Sequence, residues 1–271
     1  MHHKDLFKIL LVVYTLMLVF AYSTTSVPVE LRNLWQNSLF VIAPLVATGI
    51  GIYALRRFDF RSIHGKTLLL VAVGLAFWSI AELLWLIFES ILGSSAFPSV
   101  ADFFYLAAYP MFILAAVNEL RLGSIEWTKI RLLVSLAVLA LLSFVTLHFN
   151  SYLYNANQSF WVNMILLAYV VADLLVIAAL VLLVNLSLSF KGGAFFSSWF
   201  IFAFAMLFYW LADLLFAVYQ KQYGALQPLY RQIDYLWIIA YLLISYALFR
   251  QIDAVNKMKD MVLASVRKAS R

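Results

Sequence analysis

Solid apolar runs alternate with short polar stretches along this chain, and the alternation occurs eight times. The runs fall at roughly 6–24, 35–56, 67–89, 100–119, 130–149, 161–187, 195–219 and 229–249. As helices rising about 1.5 Å per residue, runs of this length cross about 30 Å of hydrocarbon. Strands of a membrane barrel alternate apolar and polar positions, and these runs do not, so a barrel is excluded. The first run follows a basic start (His2, His3, Lys4, Lys8) and ends near Ala21-Tyr-Ser, as a signal peptide does. A longer pattern argues that it is a spanning helix instead.

That pattern is an internal repeat. Trp78-Ser-Ile-Ala-Glu82-Leu-Leu-Trp85 returns as Trp210-Leu-Ala-Asp213-Leu-Leu-Phe216, and Asp102-Phe-Phe-Tyr105-Leu-Ala-Ala-Tyr109 returns as Asp234-Tyr-Leu-Trp237-Ile-Ile-Ala-Tyr241. Glu82 thus pairs with Asp213, Asp102 with Asp234, Tyr105 with Trp237 and Tyr109 with Tyr241. Trp35-Gln-Asn37 matches Trp161-Val-Asn163, so runs one to four align with runs five to eight. The expected organisation is a first four-helix repeat over 1–122, a second over 123–249, and a basic C-terminal helix over 250–271. An even number of helices per repeat gives both copies one orientation, related by an axis along the membrane normal.

Composition agrees with a polytopic membrane protein: 65% of residues are hydrophobic and only 12% are charged, against about half and a quarter in soluble chains. There is no cysteine, which excludes disulfides, thiolate metal sites and cysteine nucleophiles. The net charge of +6 is placed as topology, not as a nucleic-acid surface. With the N-terminus inside, the inner stretches hold Lys4 and Lys8, four basic residues in 56–66, three in 121–131, Lys191, and six from Arg250 onward. That is 16 of the 19 Lys and Arg; Arg32, Lys221 and Arg231 fall outside. The expectation is an all-α protein of eight transmembrane helices, both termini cytoplasmic, in the cell membrane of a prokaryote.

Glu82, Asp173 and Asp213 sit inside apolar runs. An ionisable group there is costly, so it faces the bundle interior and marks function by default. Asp102 and Asp234 open the fourth and eighth runs at the outer side. Helical spacing puts Trp78, Glu82, Trp85 and Glu89 on one face and Tyr209, Asp213, Phe216 and Gln220 on its counterpart. With Asp102, Tyr105, Tyr109, Asp234, Trp237 and Tyr241, these residues predict an acid-bearing, aromatic-walled cavity that opens outward and binds a ligand. Buried acids at such positions also suit proton-linked behaviour. Structural roles compete with this reading. Ser99-Val-Ala-Asp102 reads as a capping box, Arg231 stands three residues before Asp234 as a local ion pair, and aromatics near an interface serve as belts. Pro44 and Pro110 are expected to kink their helices. His64, placed in a basic loop, and His148, at a helix end, lack a second histidine at metal-ligand spacing, so no metal site is expected. Gly192-Gly193 reads as a loop, not a phosphate cradle. No cofactor motif is visible.

The segment Phe97-Pro98-Ser99-Val-Ala101-Asp102-Phe-Phe-Tyr105-Leu-Ala-Ala-Tyr109-Pro110 resembles one in the multi-helix membrane regions that precede bacterial and archaeal diguanylate cyclases and histidine kinases. The likeness covers about fifteen residues closely and the eight helices diffusely. It implies a membrane sensor, although here no output domain follows within the sequence to Arg271. In 250–271, Ile252, Val255, Val262 and Val266 stand near heptad spacing, interrupted by Lys259. This tail is either a juxtamembrane helix held at anionic lipid or a short transmitter that meets a cytoplasmic signalling partner or a second copy in a homodimer. A weaker resemblance, to the eight-helix lysoplasmalogenase-like family, rests on acids in helices three and seven. It implies Glu82 and Asp213 as a catalytic acid/base pair on a vinyl-ether lipid. Here Glu82 stands for that family's usual aspartate, and Ala81 and Ala212 replace the glycine and serine expected before the acids. A third class, an ion- or proton-coupled transporter, would use the same acids with Asp173.

Overall fold

A computed structural model describes residues 3–24, 26–121, 125–150, 158–189 and 196–269. Lys191 and Gly192-Gly193 lie outside the described residues. The described residues form eight long helices: α1 (His3–Ser23), α2 (Val29–Leu55), α3 (Ile63–Leu86), α4 (Val100–Leu120), α5 (Lys129–Asn150), α6 (Phe160–Ser189), α7 (Phe196–Gly224) and α9 (Asp234–Ala269). A single turn, α8 (Pro228–Arg231), precedes the last. Seven of these helices are long and apolar enough to cross a membrane, and α1 adds an apolar stretch over 12–23. No strand occurs among the described residues.

Local chemistry sets the helix ends. The Ser62 hydroxyl accepts from the Gly65 amide at the start of α3. Ser99 and Asp102 close a reciprocal capping box at the start of α4, satisfying two amides that the first turn leaves free. Pro28 precedes α2 and Pro228 opens α8, where a missing N–H costs nothing. Expected boundaries shift in three places. The second helix begins at Val29, α7 runs on to Gly224, and α9 continues unbroken from the apolar run into the basic tail. His64 is not in a loop; it stands in the first turn of α3. α2 and α4 each continue as one helix through Pro44 and Pro110. The non-helical φ/ψ is at Tyr219 in α7 (−110°, 20°), and α3 widens into a π turn over Ile87–Ile91. Such turns often accompany functional sites.

The short turns make successive helices antiparallel, so the bundle has two ends. One carries the α1–α2 turn, the other the α2–α3 turn. α3 packs on α2 and α4, α7 on α6 and α9, and the two groups meet where α2 touches α9 and α4 touches α6. The main core is an apolar column that includes Trp78, Phe112, Tyr241, Leu75, Leu68, Met206 and Leu248, with two smaller clusters, around Trp210 and around Tyr223, beside it. α5 buries only Ser135 and Thr146 and leaves Ile130, Leu133, Leu141 and Phe144 more than 60% exposed. An apolar helix exposed in this way fits a bundle surrounded by lipid.

Close approach of α3 and α4 depends on Gly74, where an added Cβ would stand 2.8 Å from Cζ of Phe112. That ring is already packed on Trp78 at 4.5 Å. Gly74→Ala is therefore expected to destabilise the bundle by about 1–3 kcal/mol through overpacking. Unfolding of the purified protein by denaturing detergent would measure it.

Candidate functional site

Towards the α1–α2 end lies a cavity of about 90 Å³, lined from α2, α3, α4, α5, α6, α7 and α9. A water needs only about 10–15 Å³ on the same measure, so the space admits several waters or one small molecule. Four carboxyl residues line it, one from each of four helices: Glu82 (α3), Asp102 (α4), Asp173 (α6) and Asp213 (α7). The remaining wall is largely aromatic, with Trp85, Tyr105, Tyr169, Tyr209, Phe216 and Trp237 prominent.

Each acid is held by phenol or indole donors, which is what a carboxyl needs where water is scarce. The Tyr241 hydroxyl donates to Glu82 Oε1 at 3.1 Å, and the Tyr105 phenol lies beside the same carboxyl. Asp213 accepts from the Tyr109 hydroxyl at 2.6 Å and from Trp237 Nε1 at 2.8 Å. Tyr109 also faces Asp173 Oδ1 at 3.2 Å. A phenol has one proton to give, so Asp173 holds the weaker of these two contacts. Its second oxygen accepts no hydrogen bond among the described residues, although the residue is only 6% exposed. Asp102 is held by its own helix start, through the Ser99 amide at 2.7 Å, and by the Tyr169 hydroxyl at 2.8 Å.

The floor is a ring stack. Trp78 lies flat on Tyr209, centroids 3.9 Å apart and planes 4° off parallel. Tyr109 and Tyr241 meet the edges of Trp78 at 6.2 and 5.7 Å. Contacts of this kind add about 0.5–1.5 kcal/mol each beyond burial, and here they separate the cavity from the apolar column.

Towards the α1–α2 end the cavity meets a broader vestibule of about 730 Å³, and the two share Trp85, Phe97, Phe216, Gln220 and Tyr223. Beside this mouth a buried ionic network ties five helices together. Arg231, 1% exposed, donates to both oxygens of Glu89 at 3.2 and 3.1 Å and to Asn37 Oδ1 at 2.7 Å. Its guanidinium also covers the Tyr223 ring at 4.3 Å. Asp234 lies 3.5 Å from Arg231 and accepts from the Tyr22 and Tyr223 hydroxyls, each at 2.5 Å. Asn37 also donates to Glu89 at 2.6 Å and Ser90 at 2.8 Å.

Ten of the residues singled out from the sequence line the cavity: Glu82, Trp85, Asp102, Tyr105, Asp173, Tyr209, Asp213, Phe216, Gln220 and Trp237. Tyr109 and Tyr241 stand behind the wall as donors, Trp78 forms the floor, and Asp234 belongs to the Arg231 network. Asp102 is at once a cap and a wall residue. Sequence reading missed Tyr169, Tyr22, Tyr223 and the reach of Arg231 beyond Asp234. The Trp35-Gln-Asn37 match had marked Asn37 only as a repeat signature. At the opposite end a second polar group joins three helices: Glu119 accepts from Trp199 Nε1 at 2.7 Å and meets His64 Nδ1 at 3.1 Å. Among the described residues no group of three or more His, Cys, Asp or Glu is placed to hold a metal ion.

Compared with known families, curated proteins and solved structures, the chain matches none of them.

Removing one partner from a buried ionic network leaves charges uncompensated, at about 3–5 kcal/mol. Arg231→Leu is therefore expected to cost that much, since it strands both Glu89 and Asp234. Tyr22→Phe should cost nearer 1–3 kcal/mol, the loss of one buried donor. Unfolding midpoints of the two variants in one detergent would rank them.

Proposed function

We propose that this chain is a membrane-embedded receptor that binds a small ligand in the acid-lined cavity. The observation that carries the reading is the cavity itself: carboxyls from four helices, each positioned by phenol, indole or amide donors, around a space that a small molecule can enter. Positions held this firmly are preorganised for recognition. The cavity ends on the Trp78–Tyr209 stack, above a solid apolar column. A one-ended pocket favours binding over conduction.

The receptor is built from two parallel four-helix repeats, 1–122 and 123–249. Reciprocal contacts support this. Tyr109 donates to Asp213 while its counterpart Tyr241 donates to Glu82. Trp78 stacks on its counterpart Tyr209, and Trp85 meets its counterpart Phe216 edge-on at 5.9 Å. The helix neighbours correspond as well: α2 against α9 mirrors α6 against α4. The membrane is read as that of a prokaryotic cell. The excess of Lys and Arg at the α2–α3 end supports putting that end and both termini on the cytoplasmic side, with the cavity mouth outside. Signal leaves through α9. Trp237 is in the cavity wall, and the same unbroken helix reaches Ala269. Its basic tail meets the inner lipid surface and a cytoplasmic partner or a second copy.

The hydrolase reading draws on one feature, that Glu82 and Asp213 share a cavity. Both, however, are tied to two aromatic groups each, which suits a fixed recognition surface better than proton exchange with substrate.

The test uses the full chain in lipid nanodiscs. Small molecules extracted from the purified protein are expected to raise its unfolding temperature. In Glu82→Gln/Asp213→Asn that shift should vanish while the ligand-free midpoint changes by less than the equivalent of about 2 kcal/mol. An unchanged ligand-induced shift in the double variant refutes the reading. Aldehyde release on incubation with lysoplasmalogen would replace receptor with hydrolase.

A further inference from the structure

The cavity wall is unbalanced in charge and in hydrogen bonding. Of its 18 described lining residues four are acids, and none is Lys, Arg or His. Arg231, buried beside the mouth, is committed to Glu89, Asn37 and the Tyr223 ring. An anionic ligand therefore finds no countercharge. A neutral hydrogen-bonding ligand fares little better, because the Tyr109, Tyr169 and Trp237 donors are already turned to carboxyls; Trp85 Nε1 is left as a buried wall donor without a partner among the described residues. What the wall offers in surplus is acceptor oxygen and aromatic face. Asp173 Oδ2 accepts no hydrogen bond among the described residues, and the carboxyl is over nine-tenths buried at the cavity wall.

We infer that the ligand is a small organic cation, a protonated amine or quaternary ammonium, with Asp173 as its counter-ion and the aromatic wall as its cage. The inference rests on the receptor reading above and names its ligand class. An ammonium group is attracted to the faces of Trp and Tyr within about 6 Å, and the attraction grows as water is excluded. The same exclusion strengthens its pairing with a carboxylate. A metal ion is a poorer match. It needs several oxygens converging on one point, whereas these carboxyls are each drawn aside to a phenol or indole, and no metal-holding group forms among the described residues. At about 90 Å³ the space suits a compact cation and not a polyamine chain.

The test measures binding to the full chain in nanodiscs at constant ionic strength, by tryptophan fluorescence and unfolding temperature. The probes are choline, tetramethylammonium, and the uncharged isostere of choline in which carbon replaces the ammonium nitrogen. Both cations are expected to bind saturably, and the isostere at least about tenfold more weakly. Asp173→Asn keeps the shape and the Tyr109 contact; it should weaken the cations about tenfold or more and leave the isostere unchanged. Equal affinity for isostere and choline, or cation binding indifferent to Asp173→Asn, overturns the ligand class. If neither cation binds, the class is likewise overturned. The receptor reading then stands or falls separately, on whether co-purified molecules still shift the unfolding temperature through Glu82 and Asp213.

Discussion

Carboxyl groups inside an apolar bundle need partners that water cannot supply, and the architecture follows from meeting that need. An unpaired buried acid costs several kcal/mol, so Glu82, Asp102, Asp173, Asp213 and Asp234 dictate where tyrosine and tryptophan must stand. Tyr109, Tyr241, Tyr169, Tyr22, Tyr223 and Trp237 fill those places. Nearly every such bond joins two helices. The polar contacts thereby do in this bundle what apolar contacts alone cannot do between helices surrounded by lipid: they specify which faces meet.

Two polar groups at the α1–α2 end divide the work. In the Arg231 network both acids are held by the arginine and by Asn37, Tyr22 and Tyr223, while Nε of Arg231 has no partner among the described residues. The network fixes the ends of α1, α2, α3, α7 and α9. The acid cavity beneath it is satisfied only in part, and the deficit falls on Asp173. An acceptor left without a donor inside a densely bonded scaffold is the arrangement expected of a binding site held open by its surroundings. Below both, the Trp78–Tyr209 stack and the apolar column make a firm base. α9 runs past that base, from the cavity wall to the basic tail, and offers a mechanical route out of the site.

Much of this was legible along the chain. Length and solid apolarity mark each helix, because 20-odd residues without charge have few alternatives. Glu82 and Asp213 stand out since nothing polar surrounds them, and helical spacing correctly groups Trp78, Glu82 and Trp85 with their counterparts. Tyr169 was not legible: a lone tyrosine in an apolar run has no local partner, and Asp102 lies 67 residues away. The Arg231 network escaped for the same reason. Spacing suggests Asp234 at three residues, but Glu89 and Asn37 are 142 and 194 residues distant, and only packing brings them together. The π turn at Ile87–Ile91 carries no residue signature at all, and His64 looked like a loop residue because the basic run hides the Ser62 cap.

The central claim, a one-ended cavity reached from outside the cell, can be read directly because the chain has no cysteine of its own. Single cysteines placed at Ala217, in the cavity wall, and at Asp59, in the α2–α3 turn, would be exposed to a charged, membrane-impermeant thiol reagent applied to intact cells and, separately, to inside-out vesicles. The account predicts that Ala217→Cys reacts only in intact cells and Asp59→Cys only in inverted vesicles. Reaction of Ala217→Cys in the inverted vesicles, or from neither side, would contradict it.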